Sequence, residues 1–283
     1  MCGIAGVYVM EGAAQDRWSR LRRKRVLEDL LIQIKERGTD ATGVAIIQED
    51  GEYSIYKEAV DSRSFILSED WNRWIWRENV RIVMAHTRKA TRGSPEDPRN
   101  NHPLRRHSII LTHNGGVHNE LYLRQKFQMP RVSQVDSEAF AYLLEMGTGP
   151  AGFTNKRLHK ALREFDGDAA FAAVDLDFYD TLLLGRTSTR PLAIAVSPQR
   201  RELWWASKAE YLQYALRRFD GFSVFEFPVD SFRIIRGDAV LWMFNDTAHY
   251  RAWARRRWTT PKPRAKGESP FLLTNYDGYW WRR

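Results

Sequence analysis

Between residues 168 and 206 the chain runs through four short apolar stretches, 168–176, 181–186, 191–197 and 201–206, separated only by turn-length connections. Runs of this length, bounded by turn residues, read as strands. A further strand is expected at 3–10. It is followed by a helix over 17–37, where Leu27, Leu30, Leu31 and Ile34 recur at helical spacing and Gly38 supplies a stop. Residues 44–48 and 53–57 form a hairpin across Asp50-Gly51, and a Trp-rich helix is expected at 62–78. Short strands at 81–85 and 108–112 flank the polar stretch 91–107. Helices are expected at 119–127, 136–146, 155–165 and 208–218, and strands near 222–227, 231–236 and 239–244. Long strand runs with helices in two groups predict sheets packed on each other with helices outside, an α+β layered sandwich.

Composition narrows what such a sandwich can do. With 43% apolar and 13% aromatic residues, 283 residues can bury a sizeable core. The one cysteine, Cys2, excludes an internal disulfide and a thiolate metal cluster. No run of about 18 apolar residues occurs, so no membrane contact is expected. The start of the chain lacks the pattern of a secretory signal, and a cytoplasmic protein is the expectation. Of the net charge of +9, the segment from Arg251 to Arg283 carries most: nine Lys/Arg against two acids, interleaved with Trp253, Trp258, Trp280 and Trp281. The expected division is therefore a domain over 1–248 and a basic, aromatic tail over 249–283. Such a tail suits nucleic acid or protein contact, or acts as a strap whose aromatics dock on the body. A second basic cluster, Arg17 to Arg25, falls on the first helix, where a solvated face is the ordinary explanation.

Cys2 carries the chemistry if Met1 is removed. The chain then begins with a thiol and a free α-amine on one residue, with ordinary pKa values of about 8.5 and about 7.7–8.0. The amine can take the thiol's proton, directly or through a water, and so activate the nucleophile. Taken alone, Cys2 reads better as a small buried residue opening a strand.

Other segments decide between these readings. Cys2-Gly3-Ile4-Ala5-Gly6 is followed in order by Arg37-Gly38-Thr39-Asp40-Ala41-Thr42-Gly43, His86-Thr87-Arg88-Lys89-Ala90-Thr91-Arg92-Gly93, Thr112-His113-Asn114-Gly115-Gly116 and Asp136-Ser137-Glu138. In order and approximate spacing these five motifs resemble the class II glutamine amidotransferases, the N-terminal-nucleophile hydrolase type of glutaminase. They look most like the glutaminase domain of glucosamine-6-phosphate synthase, whose motifs read RGYDSAG, HTRWATHG, HNG and TDTE. The resemblance spans roughly residues 2 to 240 and implies a four-layer αββα sandwich.

The resemblance also implies roles. Arg88 clamps the α-carboxylate of L-glutamine, Thr91 adds a hydroxyl at that end, and Asp136 pairs with the α-ammonium. Cys2 attacks the side-chain amide, Asn114 and the Gly115 N–H hold the oxyanion, and Arg37 orders the nucleophile end. Ammonia leaves and water hydrolyses the thioester; no cofactor and no metal is implied. Because no acceptor domain is expected after residue 250, the ammonia would go to a separate acceptor synthetase subunit, be released, or not be made, and the first of these is preferred.

Other readings of the same residues stand beside these. Asp136 also suits a helix N-cap, Asn114-Gly115 a turn, and Arg88 a surface cation. The concentration of His86, His102, His107, His113 and His118 invites a metal reading, but no Cys or carboxylate spacing completes a familiar ligand set. The chain departs from the family pattern at Lys89 and Arg92, where the motif has Trp and His, so gating by that Trp does not carry over. Two extra cations there suggest a hydrolase of a more acidic amide as one alternative. A non-enzymatic binding protein working through its tail is the other.

Overall fold

The structure, a computed structural model, describes residues 1–74 and 79–237. The expected strand at 239–244 and the tail at 249–283 lie outside the described residues.

Strand β1 (Gly3–Val9) leads into helix α1 (Arg17–Ile34), where Asp16 accepts from the N–H groups of Trp18 and Ser19 and caps the helix. Val26, Leu27, Leu30, Leu31 and Ile34 are buried, and Lys35–Arg37 tighten into a 3-10 turn. The hairpin forms as β2 (Ala41–Gln48) and β3 (Tyr53–Glu58). The helix expected at 62–78 is instead two short ones, α2 (Ser62–Leu67) and α3 (Glu69–Trp74). Between them Ser68 adopts an extended ψ of 152° and its Oγ accepts from the Trp71 N–H, ending one helix and capping the next.

Two further expectations are corrected. Residues 81–85 belong to a longer strand, β4 (Val80–Arg88), because it lies between β1 and β2 and is paired on both edges out to the Gly3–Thr87 and Ala41–Arg88 partners. The strand at 108–112 extends through the polar motif as β6 (Ile109–Val117), held by β7 (Gly167–Asp175) as far as the Val117–Gly167 pair. A short β5 (Leu104–Arg106) pairs with the start of β6. Helices α4 (Glu120–Lys126), α5 (Ser137–Met146) and α6 (Asn155–Leu162) follow β6. The remaining elements are β8 (Thr181–Arg186), β9 (Ala193–Ser197), β10 (Glu202–Ala206), α7 (Ala209–Leu216), β11 (Ser223–Glu226) and β12 (Ser231–Arg236).

The strands form two antiparallel sheets, ordered β11-β9-β10-β1-β4-β2-β3 and β12-β8-β7-β6-β5. Alternation along each strand separates three apolar layers. Val7, Val9, Val83 and Ala85 pack with Leu27, Leu30 and Leu212 beneath α1 and α7. Ile4, Tyr8, Ile82 and Met84 meet Ile110, Ala172, Val174 and Leu184 between the sheets. Ile109, Leu111, Phe171 and Leu183 pack with Phe140, Leu144 and Leu158 from α5 and α6. Helices, sheet, sheet, helices: the fold is the four-layer α+β sandwich. Among the described residues, no helix is long and apolar enough to cross a membrane.

One buried charge ties the first helix to its sheet. Glu202 on β10 is fully buried and accepts from Arg22 Nη1 at 2.9 Å, Arg23 Nε at 2.7 Å and Trp204 Nε1 at 3.1 Å. Burial alone would raise its pKa, but the bonds and charges of Arg22 and Arg23 outweigh burial and hold the carboxyl below its ordinary value. The basic cluster on α1 is thus in part structural. Glu202→Gln should destabilise the fold by about 3 kcal/mol in chemical denaturation, since it leaves two guanidinium groups without their counter-charge. A folded-state pKa below the unfolded value of about 4.3 contributes stability that is complete above that pH and lost as pH falls through the folded value. Wild-type stability should therefore decline in acid with a component that Glu202→Gln lacks.

Candidate active site

The alternation that sorts the cores also gathers the motif residues. On β1 and β4 the even positions Ile4, Ile82 and Met84 face the second sheet, and on β6 so does Ile110. Continued to the strand ends, the same face carries Cys2, His86, Arg88 and Asn114. These side chains come from three strands of two sheets to one end of the inter-sheet gap.

Cys2 precedes the Gly3–Thr87 pair and lies against the end of β4. Its Sγ receives the Lys89 N–H at 3.4 Å and lies 3.8 Å from the Lys89 carbonyl, while Arg37 Nε donates to the Cys2 carbonyl at 2.8 Å. Burial pushes the thiol pKa up, against the pull of the Lys89 amide, the chain amine, Arg88 and Arg37. A thiol held protonated in this way needs a base. In the full 283-residue chain the Cys2 nitrogen is a peptide nitrogen, so only removal of Met1 creates an amine on Cys2.

Two devices fix the turn that carries Lys89. Gly38 packs so closely that an added Cβ would lie 2.4 Å from the Arg88 carbonyl carbon and 2.6 Å from the Lys89 nitrogen. Asp40 Oδ2 accepts from the Ala90 N–H at 2.8 Å, the Asp40 N–H donates to the Arg88 carbonyl at 3.0 Å, and Lys89 Nζ lies 3.6 Å from Asp40 Oδ1. Asp40 stood in a motif without an assigned role; the structure makes it the pin of this turn.

Arg88 is only 3% exposed, so the surface-cation reading does not hold. Its Nη1 donates to Asn101 Oδ1 at 2.8 Å, and its Nη2 to the carbonyls of Gly93, at 2.9 Å, and Arg92. Three of its five N–H donors are thus used in shaping the loop after β4. Asn100 and Asn101, in the polar stretch without assigned function, close that loop by donating to the Ser94 and Pro95 carbonyls. Thr91 lies exposed in the same loop. Arg92 Nη1 reaches Glu120 Oε2 at 3.0 Å, so both cations that depart from the family pattern face a carboxylate.

On β6 the turn reading of Asn114-Gly115 gives way to a strand with one free edge. Ala169 directs its N–H and C=O to Thr187, so its opposite residue Gly115 forms a non-hydrogen-bonded pair and turns its own N–H away from β7. On that side β5 has ended at its pairing with Leu111. Along the same edge the His113 carbonyl accepts from His86 Nε2 at 3.1 Å and the Val117 N–H donates to Asp136 Oδ2 at 2.7 Å. The Gly115 N–H lies between these two contacts. A Cβ at Gly115 would sit 1.8 Å from the Asp168 carbonyl, so only glycine lets the strands approach here. Beside it, Asn114 Nδ2 is buried without a hydrogen-bond partner among the described residues. An open buried donor costs about 1–3 kcal/mol, which an incoming oxygen would recover.

Asp136 does not cap α5. Its φ of −68° and ψ of −25° are already helical, and its carboxylate makes no capping bond but crosses to β6. The histidines separate into different environments. His86 stacks on His102 with centroids 4.3 Å apart, and burial drives His86 down to about 3, so it is neutral and its Nε2 carries the proton given to the His113 carbonyl. His113 donates from Nε2 to the Asp168 carbonyl and accepts at Nδ1 from Ser137. His107 pairs with Glu145, and His118 lies 3.8 Å from both Asp166 and Asp168. Among the described residues no group of three or more His, Cys, Asp or Glu is placed to hold a metal ion.

Residues 86–214 match the family model described as "Glutamine amidotransferase domain". The chain is 27% identical over 199 residues to the isomerizing glutamine–fructose-6-phosphate aminotransferase of Shigella flexneri, covering 69% of this chain and 30% of that protein. It is 26% identical over 216 residues to 7-cyano-7-deazaguanine synthase of Saccharolobus solfataricus, covering 75% of this chain and 44% of that one. It therefore spans less than half the length of either. In fold it is similar to glutamine phosphoribosylpyrophosphate amidotransferase from B. subtilis, with a TM-score of 0.61 at 19% identity over 83% of this chain and 47% of the other. The matched domain and relatives, with five ordered motifs on a four-layer sandwich, all fit a class II glutamine amidotransferase of the N-terminal-nucleophile type.

Proposed function

We propose that the chain hydrolyses L-glutamine to glutamate and ammonia through a thioester on Cys2, after removal of Met1, and hands the ammonia to a separate acceptor synthetase. The observation that carries this reading is the shared inter-sheet face of Cys2, Arg88 and Asn114, whose Nδ2 has no hydrogen-bond partner among the described residues. The amine of Cys2 takes the Sγ proton and the sulfur attacks the amide carbon. The developing oxyanion draws on Asn114 Nδ2 and the Gly115 N–H, two donors set in rigid strand before the reaction begins. Ammonia leaves with the proton held by the amine, and water then attacks the thioester to release glutamate.

Substrate recognition follows from charge. Arg88 has donors left on Nε and Nη1 for the α-carboxylate, with the Thr91 hydroxyl three residues away on the loop that Arg88 shapes. Asp136, fixed by the Val117 N–H, offers its carboxylate to the α-ammonium. Arg37 holds the Cys2 backbone. The alternative of a more acidic amide loses its motive, because Lys89 and Arg92 each face an acid. The acceptor is proposed because the relatives carry sequence well beyond the part this chain matches.

Glutamate release from glutamine should be abolished by Cys2→Ala, and equal rates for variant and wild type would overturn the reading. Arg88→Ala should lower kcat/KM at least about 30-fold, the cost of removing one partner of a buried charge pair. Asp136→Asn keeps an acceptor for the Val117 N–H but loses the charge. It should raise KM about tenfold with little change in kcat, which marks a binding contact and not a transition-state one.

A further inference from the structure

Arg190 lies outside all five motifs, in the connection between β8 and β9. Its guanidinium nevertheless reaches the start of the chain: Nη1 is 3.3 Å from Met1 Sδ and Nη2 is 3.2 Å from Asp168 Oδ2. From the other side, Arg37 places Nη2 3.8 Å from the same sulfur while its Nε holds the Cys2 carbonyl. Two guanidinium groups, one following α1 and one from the β8–β9 connection, therefore bracket the residue that precedes the nucleophile.

We propose that Arg190 is a positioning residue for the reaction: with Met1 removed, its guanidinium joins Arg37 in facing the α-amine of Cys2 and keeps that amine in its neutral, proton-accepting form. The inference rests on the glutaminase reading above, in which that amine takes the thiol proton. A cation beside an amine disfavours the ammonium. An amine of ordinary pKa, about 7.7–8.0, is mostly protonated at neutral pH and a poor base there. Lowering it toward the working pH enlarges the unprotonated fraction that can accept the thiol proton.

The other charges around the chain start set the sign of the effect. Arg88 and Lys89 at the end of β4 add positive charge, and Asp40 on the turn before β2 offsets Lys89. Asp168 on β7 pairs with Arg190, accepts from Thr189 and has His118 nearby, with Asp166 behind it. Asp136 is turned to Val117 and within electrostatic reach of the neutral His113. Asp168 thus tempers Arg190. Neutralising Arg190 should raise the pKa of the amine, and neutralising Asp168 should lower it.

The single cysteine makes this measurable. Protein labelled with ¹³C-cysteine, with Met1 removed by methionine aminopeptidase and the product confirmed by intact mass, gives one set of Cys2 carbon resonances. Their first titration step reports the amine–thiol pair. Arg190→Gln should raise that step by about half a pH unit or more, Arg190→Lys should restore it, and Asp168→Asn should move it the opposite way. An Arg190→Gln titration that matches wild type, or variants of both residues shifting in the same direction, would overturn the proposal. Glutamate release is measured on the same samples. If wild type releases none, the glutaminase reading falls, while the titration still decides the role of Arg190.

Discussion

The antiparallel pairing of β1 with β4 is the constraint on which the site depends. It fixes Gly3 opposite Thr87, and so sets Cys2 beside Arg88 and Lys89, although Arg88 lies 86 positions further along the chain. A slip of β1 by one residue would turn Cys2 onto the helix-covered face, away from Arg88, and carry Ala5 and Val7 into the gap between the sheets. Core packing and chemistry therefore share one register. The burial of Ile4, Tyr8, Ile82 and Met84 between the sheets specifies the placement of the Cys2 thiol as firmly as any contact within the site.

A second level of organisation comes from backbone contacts. The sulfur rests on the main chain of Lys89; Arg88 holds the carbonyls of Arg92 and Gly93; Asp40 and Asp136 each accept from a main-chain N–H. Charged side chains here position chain segments before any substrate arrives. This arrangement suits catalysis by preorganised dipoles, where donors must be fixed at the start of the reaction and not recruited during it. The bond from His86 to the His113 carbonyl spans the two sheets at this end and keeps β6, with Asn114 and Gly115, in step with β4.

Much of this was legible in the sequence. The apolar run of 3–10, the Leu27–Ile34 stripe and the strand run from residue 168 locate the layers, and the five motifs mark where they meet. The strand ends were not legible. His86, Thr87 and Arg88, like His113 to Gly116, look like loop residues because they are polar or small, yet ladder pairing on a neighbouring strand carries them. Asp136 has the residue type and place of a cap, and only its helical φ and ψ reveal that its side chain crosses to β6. Asp40, Asn101, Asp168 and Arg190 escaped notice because their partners are distant along the chain; no local pattern ties residue 190 to residue 1.

The sulfur's contacts with position 89 involve only the peptide unit, and the Lys89 side chain turns aside to Asp40. Cradle and roof are therefore separable. Residue 89 can change its size or charge while the Cys2 thiol stays in place.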